Sequence, residues 1–517
     1  MNLVSASLFA ALVAVTLMIT AWASKRNKSA ADHYVAGGSL TGRQNGVAIA
    51  GDFISAASFL GVTGAIALTG YNGFYLAVFV PVAFVLAMLL IAEPCATSAA
   101  SRWRMSSPPD SPGKDVRSMM AISTVVISVV YLVSQLVGAA LLVSLLFDLD
   151  YAVAVLIIGT LTTAYTLVGG MLATSWIQII KTGLLMVCAV VLFVLVLVRF
   201  DFNPFGPFST ALAEFGQSFV APQRTSGTAS FDQLSQTVGL VLGVLGLPHV
   251  MIRFLTVPDA KQARTSAYTA IWIFFAFYLL VPVLGYGAAK LVGVEVIKSE
   301  NRGGGNLAVA QLAETVGGGV LLAFVAAVAF VTILAALSGL VIATSGAIAH
   351  DLYGQVIRNG SVSAKAQHRA ARVATVATCV IGVAIAFAAQ KQNVAFLASL
   401  GMSIAACANL PALLLTMYWK RMTARAVISG IVVGLVLSVT VILLSPVVQG
   451  PDSILGFSNP ALAVAPLSLA VSVIVALVSA PSGETKARAD HLFSVMRTRA
   501  LTGQTETTND DTMVAMQ

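Results

Sequence analysis

Residues 50–73 read AGDFISAASFLGVTGAIALTGYNG. The run is long and apolar enough to cross a bilayer, for which about 20 residues suffice. Yet Asp52 stands near one end, and Gly51, Ser55, Ser58, Gly61, Thr63 and Gly64 thread through it. A carboxylate inside a span is costly unless it faces protein, water or a cation. Small residues at helical spacing let neighbouring backbones approach, and glycines with hydroxyls ease unwinding where freed carbonyls line a cavity. The combination points to an ion and solute pathway.

The rest of the chain has the same character. Of its 517 residues, 58% are hydrophobic and only 10% charged, and apolar runs of spanning length leave no room for a soluble catalytic domain. Thirteen spans are expected, at about 3–23, 46–68, 73–92, 118–146, 151–169, 176–198, 236–255, 267–290, 318–348, 373–390, 394–418, 426–446 and 459–479. The first could pass for a signal peptide ending at Ala21-Trp22-Ala23, but no basic residue precedes it, so a retained helix is expected. Alternating the loops puts 22 of the 29 Lys and Arg on one side. By the positive-inside rule that side is the cytoplasm, with the N-terminus outside and the C-terminus inside. The net charge of +8 is thereby assigned to cytoplasmic loops rather than to nucleic-acid binding. Cys95, Cys188, Cys379 and Cys407 show no metal or disulfide spacing. Residues 481–517 have the polar composition of a disordered cytoplasmic tail.

Asp52 alone among the 21 acidic residues lies in the body of a span. It either helps to hold a cation, with carbonyls and hydroxyls as further ligands, or caps its helix through backbone amides. A second interrupted span holds Gly243, Gly246, Pro248, His249 and Arg253, where Pro248 removes a helical hydrogen bond. Two such interrupted spans separated by a block of helices point to inverted repeats around a midplane site. Arg253 is either the partner of an anionic substrate or a cytoplasmic-end anchor. His249 is either a hydrogen-bonded structural histidine or a proton carrier. Lys181, near the cytoplasmic end of its span, either snorkels to the interface or serves the function. A membrane-embedded enzyme would need paired acids, a His cluster or a Ser/Lys dyad, and the spans show none.

ADHYVAGGSLTGRQNGVAIAGDFISAASFLG, YTLVGGMLATSWIQIIKTG, GLPHVMIRFLTVPDAKQAR, HDLYGQVIR and KQNVAFLASLGMSIAACANLPALLLTMYWKRMT together resemble the sodium:solute symporter family, and within it the bacterial cation/acetate symporters, or monocarboxylate permeases. The resemblance runs from about residue 30 to 430 and more weakly to 480. It implies an all-helical LeuT-type fold of two inverted five-helix repeats, 46–198 and 236–418, preceded by one helix and followed by two at 426–479. It further implies uptake of acetate or a related short monocarboxylate such as propionate or pyruvate with a cation, Na+ or H+, in the cell membrane and with no other cofactor. On this resemblance Asp52 and the carbonyls of Ala50 and Phe53 bind the cation; Ser55, Ser58, Gly246, His249 and Arg253, from the two interrupted spans, are the candidate substrate-binding residues. Proline or pantothenate is the alternative solute; a transporter-like sensor and an uncoupled channel are the other classes.

This chain departs from the family pattern twice. Where sodium-coupled relatives carry paired hydroxyls fifteen and sixteen residues before the aspartate of HDLY, counting back from Asp351 gives Ala335 and Ala336. Thr332 and Ser338 are the nearest hydroxyls, and Thr332 either replaces the pair or bonds back to its own helix. A proton on Asp52 then stands as the alternative to sodium. In addition, relatives continue after AEP94 with a sequence like LRNLGRFTMADVL, where this chain reads CATSAASRWRMSSPPDSPGK. Codons for Cys95 to Ser106 can be chosen that give the family sequence one base out of frame. The hypothesis is a compensated frameshift across about 95–113, from an assembly error or a mutated allele, and resequencing of the coding DNA decides it.

Overall fold

The computed structural model describes residues 40–92, 114–168, 171–222, 227–299 and 304–479, except 255, 258 and 360, with isolated positions between 7 and 18 and between 486 and 498. Among the described residues the secondary structure is helical, without a strand.

Helix α1 (Gly42–Phe53) starts in a capping box: Thr41 Oγ1 accepts from the Gln44 amide at 3.3 Å, and the Thr41 amide donates to Gln44 Oε1 at 3.1 Å. At Ile54 the backbone turns extended, and the chain resumes through a wide turn at Ala57–Gly61 into α2 (Val62–Thr69), with a 56° bend between the halves. The break leaves the Phe53 carbonyl without its usual helical donor, and Ser58 Oγ supplies one at 3.0 Å. Gly70, at φ +56°, makes the tight turn into α3 (Tyr71–Ala87). There follow α4 (Lys114–Phe147), α5 (Tyr151–Val168) and α6 (Met171–Val198).

The second series opens with another interruption. Helix α7 (Thr228–Val244) ends, residues 245–247 leave the helix, and α8 (Pro248–Phe254) begins. Pro248 thus starts a helix, where its missing N–H costs nothing, instead of kinking one from within. Then come α9 (Ala260–Ala288), capped by Asp259, α10 (Ala308–Gly346), α11 (Ala364–Ala388) and α12 (Val394–Tyr418), capped by Asn393. Helices α13 (Ala424–Leu443) and α14 (Ala461–Val478) close the bundle.

Packing follows an exchange symmetry. Helix α1 packs on α9 as α7 packs on α3; α4 on α12 as α10 on α6; α6 on α1 as α12 on α7. The pairs α4–α10 and α5–α11 map onto themselves. Five spans is an odd number, so the second series crosses in the opposite sense, which is the LeuT-type inverted repeat. The central helices are the buried ones: 89% of the apolar window of α12 and 83% of that of α4 are inside, against 28% for peripheral α14.

Ten helices are individually long and apolar enough to span, and the bent α1–α2 pair raises this to eleven. The segment Tyr151–Leu167 is apolar but shorter. Each expected span from residue 46 onward thus has a helical counterpart, while the full count of thirteen also needs the run at 3–23, which lies outside the described residues apart from four positions. The 95–113 segment lies outside them entirely.

Candidate functional site

Helices α1 and α6 meet closely because Gly51 has no side chain: a Cβ there would lie 2.5 Å from the Gln178 carbonyl oxygen. That approach sets Gln178 beside Asp52. Gln178 Nε2 donates to one carboxylate oxygen of Asp52, and Arg253 Nε donates to the other in an ion pair. Arg253 Nη1 reaches Ser175 Oγ of α6 at 2.6 Å. Asn45 holds the far end of α8: its Nδ2 donates to the Arg253 carbonyl at 2.8 Å and to Ser266 Oγ at 3.1 Å, and its Oδ1 accepts from Thr256 Oγ1 at 2.9 Å. The two interrupted spans are therefore fastened to each other through buried polar groups.

This geometry corrects three of the simpler expectations. Arg253 is 1% exposed and paired with Asp52, so it does not anchor the cytoplasmic end of its helix. Lys181 is also 1% exposed, and its Nζ donates to the Thr332 carbonyl at 2.9 Å, so it does not snorkel. Nor does Asp52 cap its helix through backbone amides; its partners are side chains.

Around this network several buried polar atoms have no hydrogen-bond partner among the described residues: Ser55 Oγ at the break of α1, Tyr131 Oη on α4, His249 Nδ1 and Arg253 Nη2 on α8, Gln178 Oε1 and Thr332 Oγ1. The Tyr131 hydroxyl faces Ser55, and its ring centroid lies 5.2 Å from that of His249. His249 and Arg253 are one helical turn apart on α8. Buried polar groups are nearly always satisfied, so this concentration between the interrupted spans makes it the candidate place for a polar ligand.

Other expected residues are engaged elsewhere. Ser58 Oγ donates to Phe53 and accepts from Tyr278 Oη at 2.9 Å. The Gly246 carbonyl accepts from Asn409 Nδ2 at 2.9 Å. The Ala50 carbonyl takes the Ile54 amide at 2.8 Å, and Ser338 Oγ turns back to Ala335 at 3.0 Å. Oxygens available to a cation include the carbonyls of Ala50, Phe53 and Thr332, each already accepting a hydrogen bond, and the Thr332 hydroxyl. Tyr131, Gln178, Ser175 and Asn45 are site residues that motif reading missed. For α6 a signal existed, since Ser175, Gln178 and Thr182 recur at helical spacing in an otherwise apolar helix beside Lys181.

Comparison with known proteins bears on the same region. The sodium:solute symporter family model matches residues 33–434. An uncharacterized symporter of Bacillus subtilis (strain 168), YwcA, is 41% identical over 522 residues, covering 97% of this chain and 99% of the relative. A monocarboxylic acid transporter of Corynebacterium glutamicum is 37% identical over 537 residues, covering 96% and 94%. Among solved structures, a Na+-coupled sialic acid symporter in a substrate-bound outward-open state aligns with a TM-score of 0.70 at 17% identity, covering 93% of this chain and 99% of that one. The nucleobase-cation-symport-1 family transporter MHP1 in a closed conformation aligns with a TM-score of 0.51 at 11% identity, covering 90% and 99%.

Proposed function

Because this chain belongs to the sodium:solute symporter family and is a multi-pass membrane transporter rather than an enzyme, we propose that it takes up acetate or a related short monocarboxylate, such as propionate or pyruvate, together with a cation. The observation that carries this reading is the state of Arg253. Its Nε and Nη1 are committed to Asp52 and Ser175, which fix the guanidinium plane, while Nη2 has no partner among the described residues. A buried N–H of that kind suits one carboxylate oxygen. His249 Nδ1 and the hydroxyls of Tyr131 and Ser55 supply further hydrogen bonds for a small oxyanion. The relative named a monocarboxylic acid transporter supports the same substrate class.

In this reading the carboxylate sits between the break at Ile54–Ser55 and the start of α8, and access alternates by movement of one repeat against the other. The protein lies in the cytoplasmic membrane of a bacterium with its N-terminus outside and its C-terminus in the cytoplasm. Thr332, Ala50 and Phe53 face the cation.

Exchange of labelled acetate across proteoliposomes tests the substrate. Unlabelled acetate, propionate and pyruvate should each compete, whereas proline and pantothenate should not. Competition by proline or pantothenate alone would assign the site to those solutes.

A further inference from the structure

We infer that Asn409 is a positioning residue for transport: with Ser123 it fixes the second interrupted span against α4, and so sets the spacing of His249 and Tyr131 across which the carboxylate is held. This rests on the carboxylate reading above and deepens it by naming what keeps the site in register.

The break between α7 and α8 leaves a carbonyl to be served. In an unbroken helix the Gly246 oxygen would take the Val250 amide. Here that amide turns to the Leu247 carbonyl at 3.2 Å, and the Met251 amide goes to the same oxygen at 3.1 Å. A buried carbonyl left without a donor is costly. At the first break the corresponding orphan, the Phe53 carbonyl, is served from within its own segment by Ser58 Oγ. The second break has no such hydroxyl. Of residues 247–251 only His249 carries a polar side chain, and its ring lies against Tyr131. The donor comes from α12 instead. Asn409 Nδ2 reaches the Gly246 carbonyl at 2.9 Å, and Asn409 Oδ1 accepts from Ser123 Oγ of α4 at 2.5 Å. Both side chains are buried.

The stretch of α12 that carries Asn409 is itself braced. A Cβ on Gly246 would lie 2.6 Å from the Ala405 carbonyl oxygen and 3.3 Å from Asn409 Cβ, so the break rests directly on α12. Pro411 has no amide to give to the Cys407 carbonyl, and Ser468 Oγ of α14 donates to that oxygen at 2.5 Å. The peripheral helix α14 thereby holds α12 from the side away from the break.

The consequence for the site follows from two spacings. Ser123 and Tyr131 are eight residues apart on α4, about two turns, and Gly246 and His249 are three residues apart across the start of α8. The same two segments therefore meet twice. They are joined once through Asn409, and again where the rings of Tyr131 and His249 stand with centroids 5.2 Å apart. The first junction sets the second. Without it the start of α8 can shift along α4, and the Tyr131 hydroxyl and His249 Nδ1 no longer converge on one carboxylate. A misplacement of about 1 Å is enough to spoil such a convergence.

The test measures exchange of labelled acetate by the full chain in proteoliposomes, with apparent KM and maximal rate per folded transporter. It compares the wild type with Asn409→Asp, Ser123→Ala, Tyr131→Phe and the double variant of Ser123→Ala with Tyr131→Phe. Asn409→Asp keeps the acceptor for Ser123 and removes the donor to Gly246. Ser123→Ala keeps that donor and removes only the anchor on α4. Each should raise the apparent KM about tenfold while the maximal rate changes by less than about twofold. In the double variant the KM should stay near the larger single effect, because a carboxylate that no longer meets the Tyr131 hydroxyl loses little more when that residue is displaced. A bond that served stability alone would lower the yield of folded protein and leave KM unmoved. If Asn409→Asp does not fold, Ser123→Ala decides by itself. A wild-type KM in folded Ser123→Ala, or a double variant whose KM rises by the product of the two single effects, overturns the role of Asn409 and leaves the carboxylate reading standing. Absence of acetate exchange by the wild type overturns both.

Discussion

Asp52 and Arg253 stand 201 residues apart in the chain, and their side chains form an ion pair buried where the two interrupted spans meet. Each span has a charge it could not keep in a membrane alone, and each is stabilised by the other.

Removing both members should therefore cost less than the two single losses added together. Asp52→Asn and Arg253→Gln should each destabilise the protein by about 3–5 kcal/mol, because each leaves an uncompensated buried charge. The double variant should lose less than the sum, by about 1–3 kcal/mol. Thermal unfolding midpoints in detergent give the comparison, and additive losses would break the link. Both single variants should also lose gradient-driven accumulation while remaining in the membrane.

Gly51 fixes the distance between α1 and α6. A Cβ at this position meets the Gln178 carbonyl and Thr182 Oγ1, both at 2.5 Å, so Gly51→Ala must push the helices apart. A loss of about 1–3 kcal/mol is expected, with slower transport because Gln178 and Asp52 separate. Unchanged melting and transport would show that the contact is not needed.

Tyr131 is a sharper probe of the ligand. Its hydroxyl faces Ser55 without a hydrogen bond of good geometry among the described residues, so Tyr131→Phe should cost little stability. If the hydroxyl meets the carboxylate, the apparent KM for uptake rises about tenfold or more, as for loss of one hydrogen bond to a charged group. An unaltered KM would place the substrate away from α4.

Much of this was legible in the sequence, for a physical reason. Apolar runs of spanning length, a lone intramembrane aspartate and Pro248 among glycines are local features, and the bilayer penalises them unless they serve the fold or the function. The pairing of Asp52 with Arg253 is not local. Sequence placed both residues and left the partner of each open, because a guanidinium near a helix end reads equally as an interfacial anchor. Lys181 shows the same limit. Its depth follows from counting residues, but whether it turns to lipid headgroups or inward depends on the rotation of α6, and only the stripe of Ser175, Gln178 and Thr182 hinted at that. Tyr131 and Asn45 carried no motif. Their roles come from helices brought together by tertiary packing.

The most direct test of the site is equilibrium binding of labelled acetate to the purified protein and to Arg253→Lys, with melting curves confirming that both are folded. A lysine supplies charge but not the planar fork that serves Asp52, Ser175 and the substrate at once. The expected result is saturable binding to the wild type, weakened about tenfold or more in the variant. Equal affinity in the two proteins would contradict the assignment of the carboxylate to Arg253.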